Sequence, residues 1–173
     1  MRWDDPDLRW AYALLDNLPV PYVPTRRESL SLVFEALQLR EGDVFADLGC
    51  GDGRVVAEAA RRYPLSRALC VEARFDLVEK ARETVEEAGV GDRVLVVRGD
   101  FFSVPLRGVT AVYMYLLTSI NEALKPKLSR ELPEGARVAT LDFPVPGWRP
   151  VKTLGDPGWQ RRVYLYVIGV SDR

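Results

Sequence analysis

Apolar and polar residues recur along this chain with two different periods, and the switches between them mark its elements. Leu30, Val33, Phe34 and Leu37 fall at i, i+3, i+4 and i+7, one face of a helix. Thr25 and Glu28 form a capping box ahead of it. DVFADL (43–48) reads as a strand running into a glycine loop, GCGDG (49–53). A helix is predicted over 54–63 and a second strand over 67–72, ending at Glu72. The helix over 75–88 stops at Gly89, a natural C′ residue. VLVV (94–97) leads as a third strand into Gly99, Asp100 and Phe101. VTAVYMYLL (109–117) is almost unbroken in its apolar and aromatic character, which suits a central strand covered on both faces. Ser119 and Glu122 make a second capping box, for a helix that Pro126 must kink or split. ARVATLDF (136–143) is a fifth strand, and VKTLGDPGWQRRVYLYVIGV (151–170) reads as two strands joined by a GDPG turn.

Five strands alternating with helices imply a parallel sheet with helices on both faces, a three-layer α/β architecture. The closing hairpin adds two strands, making a mostly parallel, Rossmann-like sheet of seven with one strand running antiparallel. No repeat or linker divides the chain, so residues 1–173 are expected to form one domain. Residues 1–18 stand apart as an N-terminal extension, with a short amphipathic helix predicted over 8–16 (LRWAYALLD). LPVPYVPT (18–25) must be extended, because each proline biases its predecessor away from the helical region.

Composition narrows the chemistry. The 173 residues carry 24 basic and 25 acidic side chains and no histidine. The missing imidazole removes Ser-His-Asp and Cys-His mechanisms and the usual neutral-pH base. The near-zero net charge gives no basic footprint for nucleic acid. No apolar run approaches 18 residues and no signal peptide is present, so a cytoplasmic protein without a membrane anchor is expected. Two cysteines cannot build a disulfide framework or a four-ligand zinc site. Cys50 is read as a small filler of the loop and Cys70 as a buried residue of the second strand. No metal site is expected. Arginine outnumbers lysine 20 to 4 while Asn and Gln total only 4, a bias that fits a heat-adapted protein or a GC-rich genome.

The central signal is Asp47-Leu48-Gly49-Cys50-Gly51-Asp52-Gly53, at the carboxyl end of the first strand, where open α/β sheets place their ligands. A phosphate-cradling loop needs Gly-Lys-Ser/Thr, which is absent. The dinucleotide fingerprint needs a third glycine where this chain has Arg54. A carboxylate at Asp47 opposes a pyrophosphate but suits a ligand with an ammonium and a sulfonium.

On these residues the chain resembles the class I S-adenosylmethionine (SAM)-dependent methyltransferases, whose first motif is an acidic residue followed by G-x-G-x-G. The resemblance implies that Asp47 lies near the methionine amino group and that Gly49, Gly51 and Gly53 belong to the cofactor loop. It further implies that Glu72 takes the ribose hydroxyls, since a carboxylate accepts two donors in one plane. Asp100 and Phe101 are implied to hold the adenine. PYVPT (21–25), LLTSINEALKPKL (116–128), LPEGARV (132–138), GWRP (147–150) and VYLYVIG (163–169) together resemble one group within that class. This group comprises compact protein lysine methyltransferases, archaeal broad-specificity enzymes and mitochondrial enzymes that modify the c-ring protein of ATP synthase. By that resemblance Tyr22 and Thr25 close over the cofactor, and Tyr113, Tyr115, Leu116 and Thr118 border the substrate channel. Tyr115, nearer the strand end than Tyr113, is the better channel candidate, and Tyr115 and Thr118 are the orienting candidates. Trp148 is read as a hydrophobic plug rather than a channel wall. The chain lacks the membrane segment of the mitochondrial group, which argues against a membrane-bound substrate.

The implied reaction moves a methyl group from SAM to the ε-amine of a protein lysine, leaving S-adenosylhomocysteine. No general base is named: burial beside a cationic sulfonium depresses the lysine pKa from its reference of about 10.4. The expected partner is a protein with an accessible lysine, met by a monomer or a small homo-oligomer. Two alternatives remain open at this stage. One is a small-molecule or nucleic-acid methyltransferase, the latter disfavoured by Tyr-Met-Tyr-Leu where Asn-Pro-Pro-Tyr is wanted. The other is a SAM-binding module without turnover.

Overall fold

The computed structural model describes residues 22–155 and 161–173. The predicted helix over 8–16, Trp3 and Trp10 lie outside the described residues. The elements are α1 (Arg27–Leu37), β1 (Val44–Leu48), α2 (Arg54–Arg62), β2 (Arg67–Glu72), α3 (Phe75–Glu87), β3 (Val94–Arg98), β4 (Ala111–Met114), α4 (Thr118–Glu131), β5 (Arg137–Leu141), β6 (Lys152–Leu154) and β7 (Val163–Val167). All seven strands form one sheet in the order β3-β2-β1-β4-β5-β7-β6. Neighbours from β3 to β5 are parallel, and β7 runs antiparallel to both β5 and β6. The predicted class therefore holds, with β7 inserted between β5 and the edge strand β6. No helix among the described residues is long and apolar enough to cross a membrane.

Strand alternation sends side chains to two separate cores. Phe45, Ala111 and Tyr113 face one core with residues of α1, α2 and α3. Ala46, Leu48, Val112 and Met114 face the other, where α4 contributes Leu124 and Leu128. Every residue of β4 and β5 is buried, as central strands covered on both faces require. The chain reverses direction across the sheet between β1 and β4. That switch point opens a crevice at their carboxyl ends.

Three local expectations are corrected. Neither capping box forms: α1 is preceded by Arg26 and α4 by Leu117, with no side-chain cap on either. The Thr25 hydroxyl instead bonds the buried Tyr113 hydroxyl at 2.7 Å, because tertiary contact outbids a local cap. Pro126 does not split its helix; α4 continues from Thr118 to Glu131. Proline forfeits one N–H bond there, but Leu124 and Leu128 on either side are both fully buried and hold the two halves to one core. Gly89, by contrast, takes the positive φ (72°) that a helix-ending glycine supplies.

Cys70 is buried in β2 as read, but Cys50 is more than a filler of the loop. Cys50 and Cys70 are disulfide-bonded, with Cα atoms 5.3 Å apart. Twenty residues separate them in sequence, and spacing alone does not reveal the pairing. Cys70 lies in register with Asp47 on the adjacent strand, which brings it under the turn that carries Cys50. Closing a loop of this length stabilises a fold by about 3 kcal/mol in the chain-entropy model. Reduction is therefore expected to lower the melting midpoint, by roughly 2–4 °C per kcal/mol at this chain length. Thiol titration of the unfolded, unreduced protein checks the pairing: two reactive thiols would refute the bond.

Candidate functional site

The loop after β1 owes its path to three glycines with φ of 76° (Gly49), 57° (Gly51) and 80° (Gly53), a region that side chains disfavour. Gly49 and Cys50 both donate their N–H to the Val71 carbonyl, at 2.8 and 3.0 Å. Gly51 N–H donates to Glu72 Oε1 at 3.0 Å, and Arg74 N–H donates to Glu72 Oε2 at 2.8 Å. Both oxygens of Glu72 are thus oriented by backbone, and their remaining lone pairs are available to a ligand. Space is also reserved. A Cβ on Gly49 would lie 3.0 Å from Leu116, and one on Gly51 would lie 2.5 Å from the Tyr22 ring.

Two adjoining cavities result. The larger is lined by Gly49, Glu72, Leu77, Phe101, Leu116 and Phe143. The smaller is polar and includes Thr25, Asp47, Gly51, Asp52 and Tyr113. Tyr22 and Tyr115 border both. Of the residues singled out in the sequence, Tyr22, Thr25, Asp47, Gly49, Gly51, Glu72, Phe101 and Tyr115 are therefore brought together. Gly53 is not at the cavities; a Cβ there would meet Ala81 of α3 at 3.1 Å, so its role is close helix packing. Asp100 turns its carboxylate onto the Phe102 N–H at 2.8 Å and borders neither cavity. Thr118 opens α4 and also lies outside both linings. Trp148 packs edge-on against Tyr166 at 5.8 Å, away from the cavities, as a plug does. Tyr113 is buried and Tyr115 only partly so, as their positions along the strand suggest.

Electrostatics favour a cation in the polar cavity. Asp47 is 2% exposed. Burial, with the nearby Glu72 and Asp52 charges, pushes its carboxyl well above the ordinary range. Burial also pushes Asp52 up, but hydrogen bonds and charge from Arg54 outweigh it and the net shift is downward. Arg54 reaches Asp52 at 2.6 Å and the Thr25 carbonyl at 3.3 Å, clamping the segment that carries Tyr22 over the loop. Tyr113 is raised well above its usual value, chiefly by burial, and Asp47 adds to the effect. An uncompensated buried carboxylate beside a second one that offers acceptors suits a ligand with an ammonium and a vicinal diol. Phe101 and Leu77 supply an apolar wall for a flat ring. The same carboxylates repel a phosphate. The cavities therefore fit the aminoacyl and nucleoside parts of SAM.

Sequence reasoning missed Asp142, Phe143 and Arg161. The Tyr115 hydroxyl donates to Asp142 Oδ2 at 3.2 Å, and Arg161 Nη1 reaches both groups. Asp142 and Phe143 follow β5 as Tyr115 follows β4, so the shared carboxyl edge of the sheet was the available signal.

Residues 47–152 match the family model for the ANTKMT methyltransferase domain. A protein-lysine N-methyltransferase of Saccharolobus islandicus is 40% identical over 87% of this chain and 94% of its own length. The adenine nucleotide translocase lysine N-methyltransferase of Mus musculus is 39% identical over 81% of this chain and 60% of its own length. The chain thus spans less than two thirds of that mouse protein. Among solved structures, an RNA methyltransferase from Salinibacter ruber with bound S-adenosyl-L-homocysteine superposes with TM-score 0.80 at 39% identity. The match covers 84% of this chain and 94% of that one.

The raised Asp47 carboxyl has a consequence for stability. It keeps its proton to higher pH in the folded chain than in the unfolded one. Stability is therefore fullest below the ordinary carboxylate range and falls as pH rises through the raised value. Asp47→Asn is expected to raise the melting midpoint of the ligand-free protein more at pH 8 than at pH 5, while weakening SAM binding at least tenfold. Calorimetry with and without SAM checks both halves; a lower midpoint at pH 8 would refute the electrostatic account.

Proposed function

The chain belongs to the ANTKMT methyltransferase family, and on that premise we propose that it is a SAM-dependent protein-lysine N-methyltransferase. The observation that carries this reading is the pairing of a carboxylate-lined cavity with an aromatic opening at the carboxyl ends of β4 and β5. SAM supplies a methyl group on a cationic sulfur when bound. Asp47 is the partner for its ammonium, Glu72 for its ribose hydroxyls, and Phe101 for its adenine face. Gly49 and Gly51 keep the loop low enough for close backbone approach, and Tyr22 closes the site from outside.

The protein's share of catalysis is positioning. Tyr115, Leu116, Leu117 and Phe143 form an apolar, aromatic throat beside Gly49. A lysine side chain in that throat is stripped of water, which lowers its pKa and releases the neutral amine without a dedicated base. The aromatic faces then favour the methylated, cationic product. Thr118, which opens α4, stays an orienting candidate beside Tyr115. One domain suffices for this design.

The RNA methyltransferase named for the Salinibacter ruber structure favours a second reading, an RNA substrate. Methyl-labelled SAM mixed with host lysate separates the two. Label destroyed by protease, and found on lysine ε-amines by mass spectrometry, supports the first reading; label destroyed by ribonuclease supports the second. Glu72→Ala is expected to weaken SAM binding at least tenfold by calorimetry, because two charge-assisted contacts are lost. Tyr115→Phe is expected to lower turnover with SAM affinity unchanged. A Tyr115→Phe rate equal to wild type would remove the phenol from the mechanism.

A cytoplasmic, heat-adapted enzyme is part of this proposal, and the total of only 4 Asn and Gln side chains supports the heat adaptation. A melting midpoint above about 65 °C is expected, beyond the ordinary mesophile range.

A further inference from the structure

The carboxyl edge of β4 and β5 already holds a cation. Asp142 follows β5 directly and adopts a left-handed backbone, φ 63°, which Asp tolerates better than most residues. Its backbone N–H donates to the Arg162 carbonyl at 2.7 Å, so its position is set by the sheet. Its carboxylate accepts from the Tyr115 hydroxyl at 3.2 Å and from Arg161 Nη1 at 2.6 Å. The same Arg161 nitrogen donates to the Tyr115 oxygen at 2.9 Å. The Tyr115 and Phe143 rings lie 6.1 Å apart, and both border the cavity that contains Gly49 and Glu72. One carboxylate, one phenol oxygen and two aromatic rings together are the chemistry that recognises an alkylammonium.

Asp142 stands one hydrogen bond behind the wall of that cavity, held to it through Tyr115, and Arg161 is not part of the wall either. Arg161 comes from the connection between β6 and β7, and its side chain is one-third exposed. Its backbone is fastened: its carbonyl leaves no room for a Cβ on Gly155, and Arg162 next to it pairs with Asp142. Only the side chain reaches across.

We propose that Asp142 and Tyr115 form the first receiving site for the substrate's lysine ammonium, ahead of the apolar throat beside Gly49 where the amine gives up its proton to water, and that Arg161 fills this site as an internal stand-in until the substrate displaces it. The inference rests on the lysine reading above. Two of the three ammonium N–H donors replace the bonds that the Arg161 Nη1 makes now. The exchange is feasible because a partly exposed ion pair is weak, while an ammonium brought beside an aromatic ring gains a cation–π contact. Arg161 thereby sets a threshold: a cation must outcompete it to enter.

The test uses n-butylammonium, the lysine side chain without a peptide, bound to the full chain and followed by NMR of labelled tyrosine. Asp142→Asn is expected to weaken binding at least tenfold, and Arg161→Gln to tighten it severalfold. The opposite signs distinguish a receiving site from a structural ion pair, whose loss from either side misplaces Tyr115 and weakens binding in both variants. Equal weakening, or wild-type binding in Asp142→Asn, would overturn the proposal. If Asp142→Asn fails to fold by circular dichroism, Arg161→Gln decides alone: tighter binding supports the site, and weaker or unchanged binding refutes it. Lysate labelling by the wild type runs in parallel. Lysine label without butylammonium binding refutes this site and leaves the function standing; butylammonium binding with opposite-signed variants and no lysine label refutes the function and leaves the cation site.

Discussion

Every part of the site depends on how the loop after β1 is fastened to β2. Three consecutive residues of β2 do this. The Val71 carbonyl accepts two loop N–H groups, the Glu72 carboxylate accepts a third, and Cys70 is bonded to Cys50. Glycine at positions 49 and 51 permits the positive φ values that bring those N–H groups into line. The result is a loop whose shape is set before any ligand arrives, so little ordering cost is left for binding. Glu72 has two jobs in consequence: it holds the loop and presents its free lone pairs to the cavity.

The same arrangement concentrates negative charge where the fold can least shield it. Asp47 sits deep at the end of β1 with Glu72 and Asp52 close by. Asp52 is answered by Arg54, whereas the charged groups that act on Asp47 are acidic. Such a group is costly in the ligand-free protein and favourable once a cation is bound. This is the usual relation between a strained site and its ligand, in which local stability is given up for recognition. The same acidic charge opposes a phosphate at a loop that otherwise resembles a dinucleotide-binding one.

A second charged centre lies at the ends of β4 and β5. There the negative group is balanced within the chain, since Arg161 covers Asp142. One carboxylate waits uncompensated for the cofactor and the other is provisionally paired on the substrate side. Tyr115 stands between them, bordering both cavities and bonding Asp142. The topological switch between β1 and β4 is what brings Asp47 and Tyr115, at the ends of those two strands, to one crevice.

Much of this was legible from residue order. The alternation of periods determined a parallel α/β sheet closed by a hairpin, because strand and helix patterns are local and each covers one face or two. Asp47, Gly49, Gly51 and Glu72 were legible because contiguous residues at the ends of strands carry them. Tertiary structure decided the rest. Thr25 left its capping role for Tyr113, 88 residues away, and Gly53 proved to make room for Ala81. Asp100 looked inward by motif but is satisfied by its own backbone neighbour. Cys50 with Cys70, and Tyr115 with Asp142 and Arg161, are pairings between strands or loops distant in sequence. Their residue types carry no local signature. Strand register and loop path alone bring them together, because hydrogen bonds and ion pairs act over a few ångströms of space and take no account of sequence separation.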